Sequence, residues 1–205
     1  MRLESISLKI AICIDQSSVG GVGTSTNILA CGMRKAGHQA DILTTNGKIG
    51  PEYERARRDG WPVKAICEGE RWLWRRLQMV VSRLSEYDCV INNHSRETQL
   101  VTPAFPSNVV RISVIRSTSE SAIDSARYNS NFYDAMVGIS PEVTRLLRKA
   151  TGIDRIKTIP NATTLKGGRF IALDKKLKLV YLGRLTDVDK NILLIPDIAL
   201  ACQSH

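Results

Sequence analysis

Leu8-Lys9-Ile10-Ala11-Ile12-Cys13-Ile14-Asp15-Gln16-Ser17-Ser18-Val19-Gly20-Gly21-Val22-Gly23 begins as an almost unbroken apolar run and ends in a loop of small residues. Apolar residues without polar alternation describe a strand covered on both faces, as in a parallel sheet. A helix is expected next. Thr24 or Ser25 is placed to cap it, Ile28, Leu29, Cys31, Gly32 and Met33 are expected on its inner side, and Gly37 stops it before a second strand over 39–44. Strand, glycine loop, helix and strand form a β-α-β unit.

The alternation continues along the chain. Strands are expected over 63–67, 88–92, 109–115, 134–139 and 156–159, with a helix over 70–85. Ser140-Pro141-Glu142 opens another helix with a cap, a first-turn proline and a carboxylate at the positive end of the dipole. The sequence therefore predicts an α/β fold, a doubly wound Rossmann-like parallel sheet with helices on both faces. Residues 160–168, Pro160-Asn161-Ala162-Thr163-Thr164-Leu165-Lys166-Gly167-Gly168, have the composition of a hinge. Beyond it, the apolar segment 177–182 runs into Gly183-Arg184, and Lys190 follows a short acidic turn. Gly183 permits a tight turn, and the two cations flank a place where one diphosphate could be held. Two domains are expected: 1–173 as an N-terminal Rossmann-like domain, and 174–205 as linker plus the first β-α segment of a second.

Bulk properties exclude several classes. The charge of +9, from 29 Lys and Arg against 20 Asp and Glu, favours anionic partners such as nucleotide phosphates or an anionic membrane face. With aromatic residues at only 5% and no basic run interleaved with stacking side chains, nucleic acid is not an expected partner. The five cysteines are scattered and form no C-x-x-C pair, so neither a disulfide framework nor a zinc cluster is indicated, and a cytoplasmic setting is expected. No apolar run approaches membrane-spanning length.

In this order the landmarks resemble those of the GT-B glycosyltransferases, and among them family 4. Gly20-Gly21-Val22-Gly23 resembles the family's glycine loop, Asp88-Cys89-Val90-Ile91-Asn92-Asn93-His94 its strand ending in histidine, and 134–140 its strand leading to a serine-capped helix. Ile159-Pro160-Asn161 stands where the family has proline-asparagine-glycine, and Gly183-Arg184 with Lys190 where it has its donor-phosphate pair. Asn191 and Ala162 depart from the family's glycines, and the acidic E-x7-E motif of the donor domain has no counterpart before His205.

The resemblance implies retaining transfer of a sugar from a nucleotide-diphospho-sugar to a glycan or lipid-linked acceptor hydroxyl. It implies no metal and no cofactor, and a chain that holds the acceptor side plus a truncated start of the donor-binding domain. It places His94 beside the transferred sugar, Gly20, Gly21 and Gly23 as a phosphate or substrate loop, and Arg184, Lys190 and Gly183 on the donor phosphate. A tight turn, a surface histidine and a solvated turn are the plain readings of the same residues. The pair Asp187 and Asp189 imitates a D-x-D metal motif, but a helix-capping role for Asp189 explains it.

The 70–85 helix carries Arg71, Trp72, Trp74, Arg75 and Arg76 around an apolar stripe of Leu73, Leu77, Val80 and Leu84. Packing on the sheet accounts for the stripe. The tryptophans and arginines offer a peripheral contact with an anionic membrane, at the inner face for a cytoplasmic protein. Two rivals to an enzyme remain: a non-catalytic module for an anionic glycan or membrane surface, and a nucleotide-dependent oxidoreductase. The second lacks both the G-x-G-x-x-G spacing and an acidic residue closing the second strand.

Overall fold

Strand β1 (Lys9–Ile14) divides its side chains between two cores, Ile10, Ile12 and Ile14 on one face and Ala11 and Cys13 on the other. Such a strand must lie inside a sheet covered twice. The computed structural model describes residues 6–15, 21–48, 50–162 and 192–203, and the chain falls into two compact units, Met1–Thr164 and Leu165–His205.

In the first unit β1 is followed by α1 (Gly21–Lys35), β2 (Gln39–Thr44), α2 (Pro51–Arg58), β3 (Val63–Ala65) and α3 (Leu73–Leu84). Then come β4 (Cys89–Asn92), α4 (Arg96–Val101), β5 (Val110–Ile115), α5 (Glu120–Arg127), β6 (Ala135–Gly138), α6 (Pro141–Thr151) and β7 (Ile156–Thr158). The seven strands pair in parallel in the order β3-β2-β1-β4-β5-β6-β7. This is the doubly wound Rossmann-like sheet expected from the alternation. Ala30, Tyr53 and Ala56 bring α1 and α2 onto the face carrying Ile12 and Ile42, while Val80, Leu84 and Val101 bring α3 and α4 onto the face carrying Ala11 and Leu43. Removing a fully buried side chain such as Ile12 or Leu84 from water contributes about 2–3 kcal/mol.

Local chemistry follows the sequence at α6. Ser140 Oγ accepts the Val143 N–H at 3.2 Å, Pro141 occupies the first turn, and Gly152 closes the helix in the left-handed region at φ 66°. Gly138, just before it, is required by a close approach: a Cβ there would lie 2.5 Å from Thr144 Oγ1 and 2.8 Å from the Thr144 backbone nitrogen.

Two expectations are corrected at α1. The helix begins at Gly21, so Thr24 and Ser25 lie within it and cap nothing; Ser25 Oγ donates back to the Gly21 carbonyl at 2.6 Å. The buried positions are Gly23, Thr26 and Ala30, whereas Cys31 is exposed along with Gly32. Leu29 and Met33, expected on the inner side, do pack on the core with Val22, while the small Gly23, Thr26 and Ala30 are the fully buried positions. In the second unit the described residues form a single 3-10 turn, Ile192–Leu194, and α7 (Ile195–Gln203). The expected strand over 177–182, together with Gly183, Arg184, Lys190 and the boundary near Asp174, lies outside the described residues.

Candidate active site

Connections leave β1 toward β2 on one side and β4 toward β5 on the other, so the carboxyl ends of β1 and β4 flank the switch point where open α/β sheets bind ligands. Asp15 follows β1 and Asn93-His94 follows β4.

The turn carrying His94 is held on three sides. Asn93 N–H donates to the Cys13 carbonyl at 2.9 Å, Ser95 N–H donates to Asn92 Oδ1 at 2.9 Å, and the His94 carbonyl accepts the Asp15 N–H at 2.9 Å. His94 itself has φ 79°, a left-handed backbone that costs a non-glycine residue about 1 kcal/mol and that these bonds impose. Its imidazole is exposed beside the switch point, and no described residue bonds it.

Asp15 Oδ1 accepts the Arg96 N–H at 2.8 Å. Burial pushes this carboxyl above its ordinary value and the charge of Glu97 acts the same way, against the Arg96 bond and the charges of His94 and Arg96. Beneath lies a polar core: Glu97, 3% exposed, pairs with Arg76 at 3.1 Å and accepts from Thr45 Oγ1 at 3.2 Å, while Ser95 Oγ caps α4 by accepting the Thr98 N–H at 3.0 Å. This network fixes the start of α4 and, with it, the end of the His94 turn.

A second group sits across β4. The fully buried Asn93 donates through Nδ2 to Thr26 Oγ1 of α1 at 2.5 Å and accepts at Oδ1 from Arg116 Nε at 2.6 Å. Arg116, immediately after β5, also donates through Nη1 to Asn161 Oδ1 at 2.6 Å. Burial pulls its guanidinium below the ordinary arginine value. Sequence reading passed over Arg116 and Glu97 and gave Asn93 no role beyond its place in the strand that leads to His94. The signal available for Arg116 was its position at the carboxyl end of a parallel strand.

Of the expected site residues, His94, Gly21 and Gly23 share this edge, with the first-turn N–H groups of α1 beginning at Gly21. Gly20, Gly183, Arg184 and Lys190 lie outside the described residues. Trp72 and Trp74 are 63% and 54% exposed at the start of α3, with Arg71 and Arg75 exposed beside them. Arg76 is not part of that surface: its guanidinium turns inward to Glu97, which would otherwise be a buried, unpaired charge. Among the described residues no group of three or more His, Cys, Asp or Glu is placed to hold a metal ion.

A concavity of about 360 Å³ lies elsewhere, on the α3 side of β2, lined by Lys9, Asp41, Lys64 and Tyr87. Burial raises the Asp41 carboxyl, but bonds from Lys64 and Tyr87 and the charges of Lys64 and Arg34 outweigh it and hold it below its ordinary value. These groups satisfy one another, which is a structural arrangement.

Residues 19–166 match the family model described as Glycosyltransferase Family 4. Among solved structures, Anabaena HepE in complex with UDP and glucose superposes with a TM-score of 0.62 at 16% identity, over 76% of this chain and 45% of that one. An alpha-glucosyltransferase in complex with UDP and a 13-mer DNA gives 0.59 at 10% identity, over 77% and 43%. A glycosyltransferase from Rickettsia africae ESF-5 gives 0.54 at 15% identity, over 75% and 43%. The chain thus matches less than half the length of these three structures. No curated protein sequence is a significant match. The family match spans most of the chain and the sheet superposes on glycosyltransferases: this protein belongs to Glycosyltransferase Family 4.

Proposed function

We propose that this chain supplies the acceptor side of an enzyme that transfers a hexosyl unit from a nucleotide-diphospho-sugar to a hydroxyl of a glycan or lipid-linked acceptor, with retention at the anomeric carbon and without a metal ion. The observation that carries the proposal is the switch-point turn, in which an exposed histidine is held in a left-handed backbone by bonds from both flanking strands. Strain kept at a ligand-binding edge is consistent with a positioned functional group. In this reading His94 lies against the transferred sugar, and the first-turn amides of α1 at Gly21 and Gly23 bind substrate oxygen or phosphate. Arg184, Lys190 and the turn at Gly183 neutralise the leaving diphosphate, as a metal does in other transferases. UDP in the related complexes supports a nucleotide-sugar donor. The composition argues for a glycan or lipid rather than nucleic acid as acceptor.

The test uses the product of the complete reading frame that carries these 205 residues. It is incubated with EDTA and UDP-, GDP- or ADP-hexoses, and acceptor products are read by mass spectrometry and anomeric NMR. Hexosyl transfer that His94→Ala abolishes supports the proposal. Absence of transfer from every donor, with anionic glycan binding intact, would leave the non-catalytic module as the correct reading.

One observation favours a peripheral membrane position as well. Trp72 and Trp74, with Leu73 also exposed, project from the start of α3, the helix end nearest the carboxyl edge of β3. Aromatic side chains flanked by Arg71 and Arg75 suit the headgroup region of an anionic bilayer, which would bring a lipid acceptor to the His94 edge.

A further inference from the structure

Arg116 is a half-buried cation whose described partners are both neutral. Its Nε donates to Asn93 Oδ1 and its Nη1 to Asn161 Oδ1, each at 2.6 Å, and no described carboxylate pairs with it. The orientation is imposed, because Asn93 is fully buried and its Nδ2 is committed to Thr26 Oγ1. A guanidinium carries five N–H donors in a rigid plane, so these two bonds leave three, one on Nη1 and two on Nη2. Amide oxygens compensate a desolvated cation poorly, whereas an oxyanion meeting the remaining donors would form charge-assisted bonds. Asn93, which holds the Nε side of the fork, is the residue before His94.

We propose that Arg116 is an oxyanion-reading subsite for the acceptor, so that the enzyme takes acceptors bearing a phosphate or carboxylate near the accepting hydroxyl. The word acceptor rests on the function proposed above; the oxyanion site does not. Asn93 and Asn161 are positioning residues, which act by aiming the fork. The donor diphosphate is the other possible source of an oxyanion. It is disfavoured because Arg184 and Lys190 already serve it in that reading.

The 205-residue chain is titrated with glucose 6-phosphate, glucuronate, glucose and UDP while the Arg116 Nε–H resonance is followed by NMR. Saturable shifts with the two sugar anions, and none with glucose, are expected. Arg116→Gln should weaken sugar-anion binding by about tenfold or more, read from backbone amide shifts. Lys149→Gln, which removes one exposed charge elsewhere, should leave it unchanged. Asn161→Asp keeps the arginine but sets a carboxylate against it, and should weaken binding to a similar degree; it supplies the answer if Arg116→Gln does not fold. Equal sugar-anion binding in the parent and Asn161→Asp, or glucose binding as tightly as the anions, would overturn the proposal. So would UDP binding that depends on Arg116 when sugar-anion binding does not, because it would assign the fork to the donor. Failure of hexosyl transfer in the full reading-frame product would remove the enzymatic reading and leave the titration result standing.

Discussion

The Asp15 N–H donates to the His94 carbonyl at 2.9 Å, joining the turn after β1 to the turn after β4 across the switch point of the sheet. With Asn93 bonded to Cys13 and Ser95 to Asn92, it leaves the backbone of His94 little freedom other than its φ of 79°.

Replacing His94 by glycine separates shape from chemistry. Glycine occupies the left-handed region without strain, so His94→Gly should unfold at higher denaturant, by about 0.5–1 kcal/mol. His94→Ala keeps the strain and should gain nothing. Both variants lack the imidazole and should lose about a hundredfold or more in kcat/KM for hexosyl transfer by the full reading-frame product. A glycine variant that is less stable than the parent would show that the imidazole itself holds the turn.

Asp15 gives a pH signature. Its folded carboxyl titrates above its unfolded value, chiefly because of burial, so the folded state binds the proton more tightly. Stability contributed by this group is therefore lost as pH rises from the ordinary carboxylate value through the raised one. Asp15→Asn keeps an oxygen to accept the Arg96 N–H and carries no charge. It should raise the thermal midpoint at pH 7, with the gain shrinking as pH falls to the ordinary carboxylate range. Midpoints measured across that range decide the matter: a variant less stable at pH 7 than the parent would mean the carboxylate form is favoured by the fold.

What could be read from the chain divides along physical lines. The central strand β1 announced itself because a doubly covered strand is apolar nearly throughout, as Ile10 to Ile14 are; β2, expected over 39–44 behind the Gly37 stop, spans Gln39–Thr44 although it carries the buried Asp41. The capped start of α6 was equally legible, since Ser140-Pro141-Glu142 specifies a helix N-terminus locally. Helices α2, α4 and α5 were not foreseen. The first buries little beyond Tyr53 and Ala56 among charged residues, the second has six residues, and the third buries only Ala126. Long-range polar pairs were also invisible. Arg76 looked like one more surface arginine because its partner Glu97 lies 21 positions away, and Arg116 drew no reading because its partners Asn93 and Asn161 are distant in sequence.

Gly138 should be irreplaceable. Alanine there would meet Thr144 Oγ1 at 2.5 Å and the Thr144 backbone nitrogen at 2.8 Å, and the second contact has no side chain to move. Gly138→Ala should destabilise by about 2–4 kcal/mol in urea unfolding. Thr144→Ala removes only the first contact, so adding it should not restore stability. Full rescue by the double variant would show that the backbones of β6 and α6 have room to separate.

The membrane contact can be tested without disturbing the core. Arg71 and Arg75 are exposed at the start of α3, whereas Arg76 holds the buried Glu97, so the informative variant is Arg71→Gln/Arg75→Gln. Each surface arginine near an anionic bilayer contributes about 1 kcal/mol, so the pair should weaken co-sedimentation with phosphatidylglycerol-containing vesicles by about thirtyfold at low salt. Raising salt shortens the Debye length and should weaken the parent more than this variant. Trp72→Ala/Trp74→Ala should weaken binding at every salt concentration, because it removes apolar insertion rather than charge. Arg76→Gln should instead unfold the protein more readily, by about 3–5 kcal/mol, because it strands the Glu97 carboxylate in the interior. If the Arg71→Gln/Arg75→Gln variant and the tryptophan variant both bind vesicles as well as the parent, α3 is not the contact, and the exposure of Trp72 and Trp74 needs another partner.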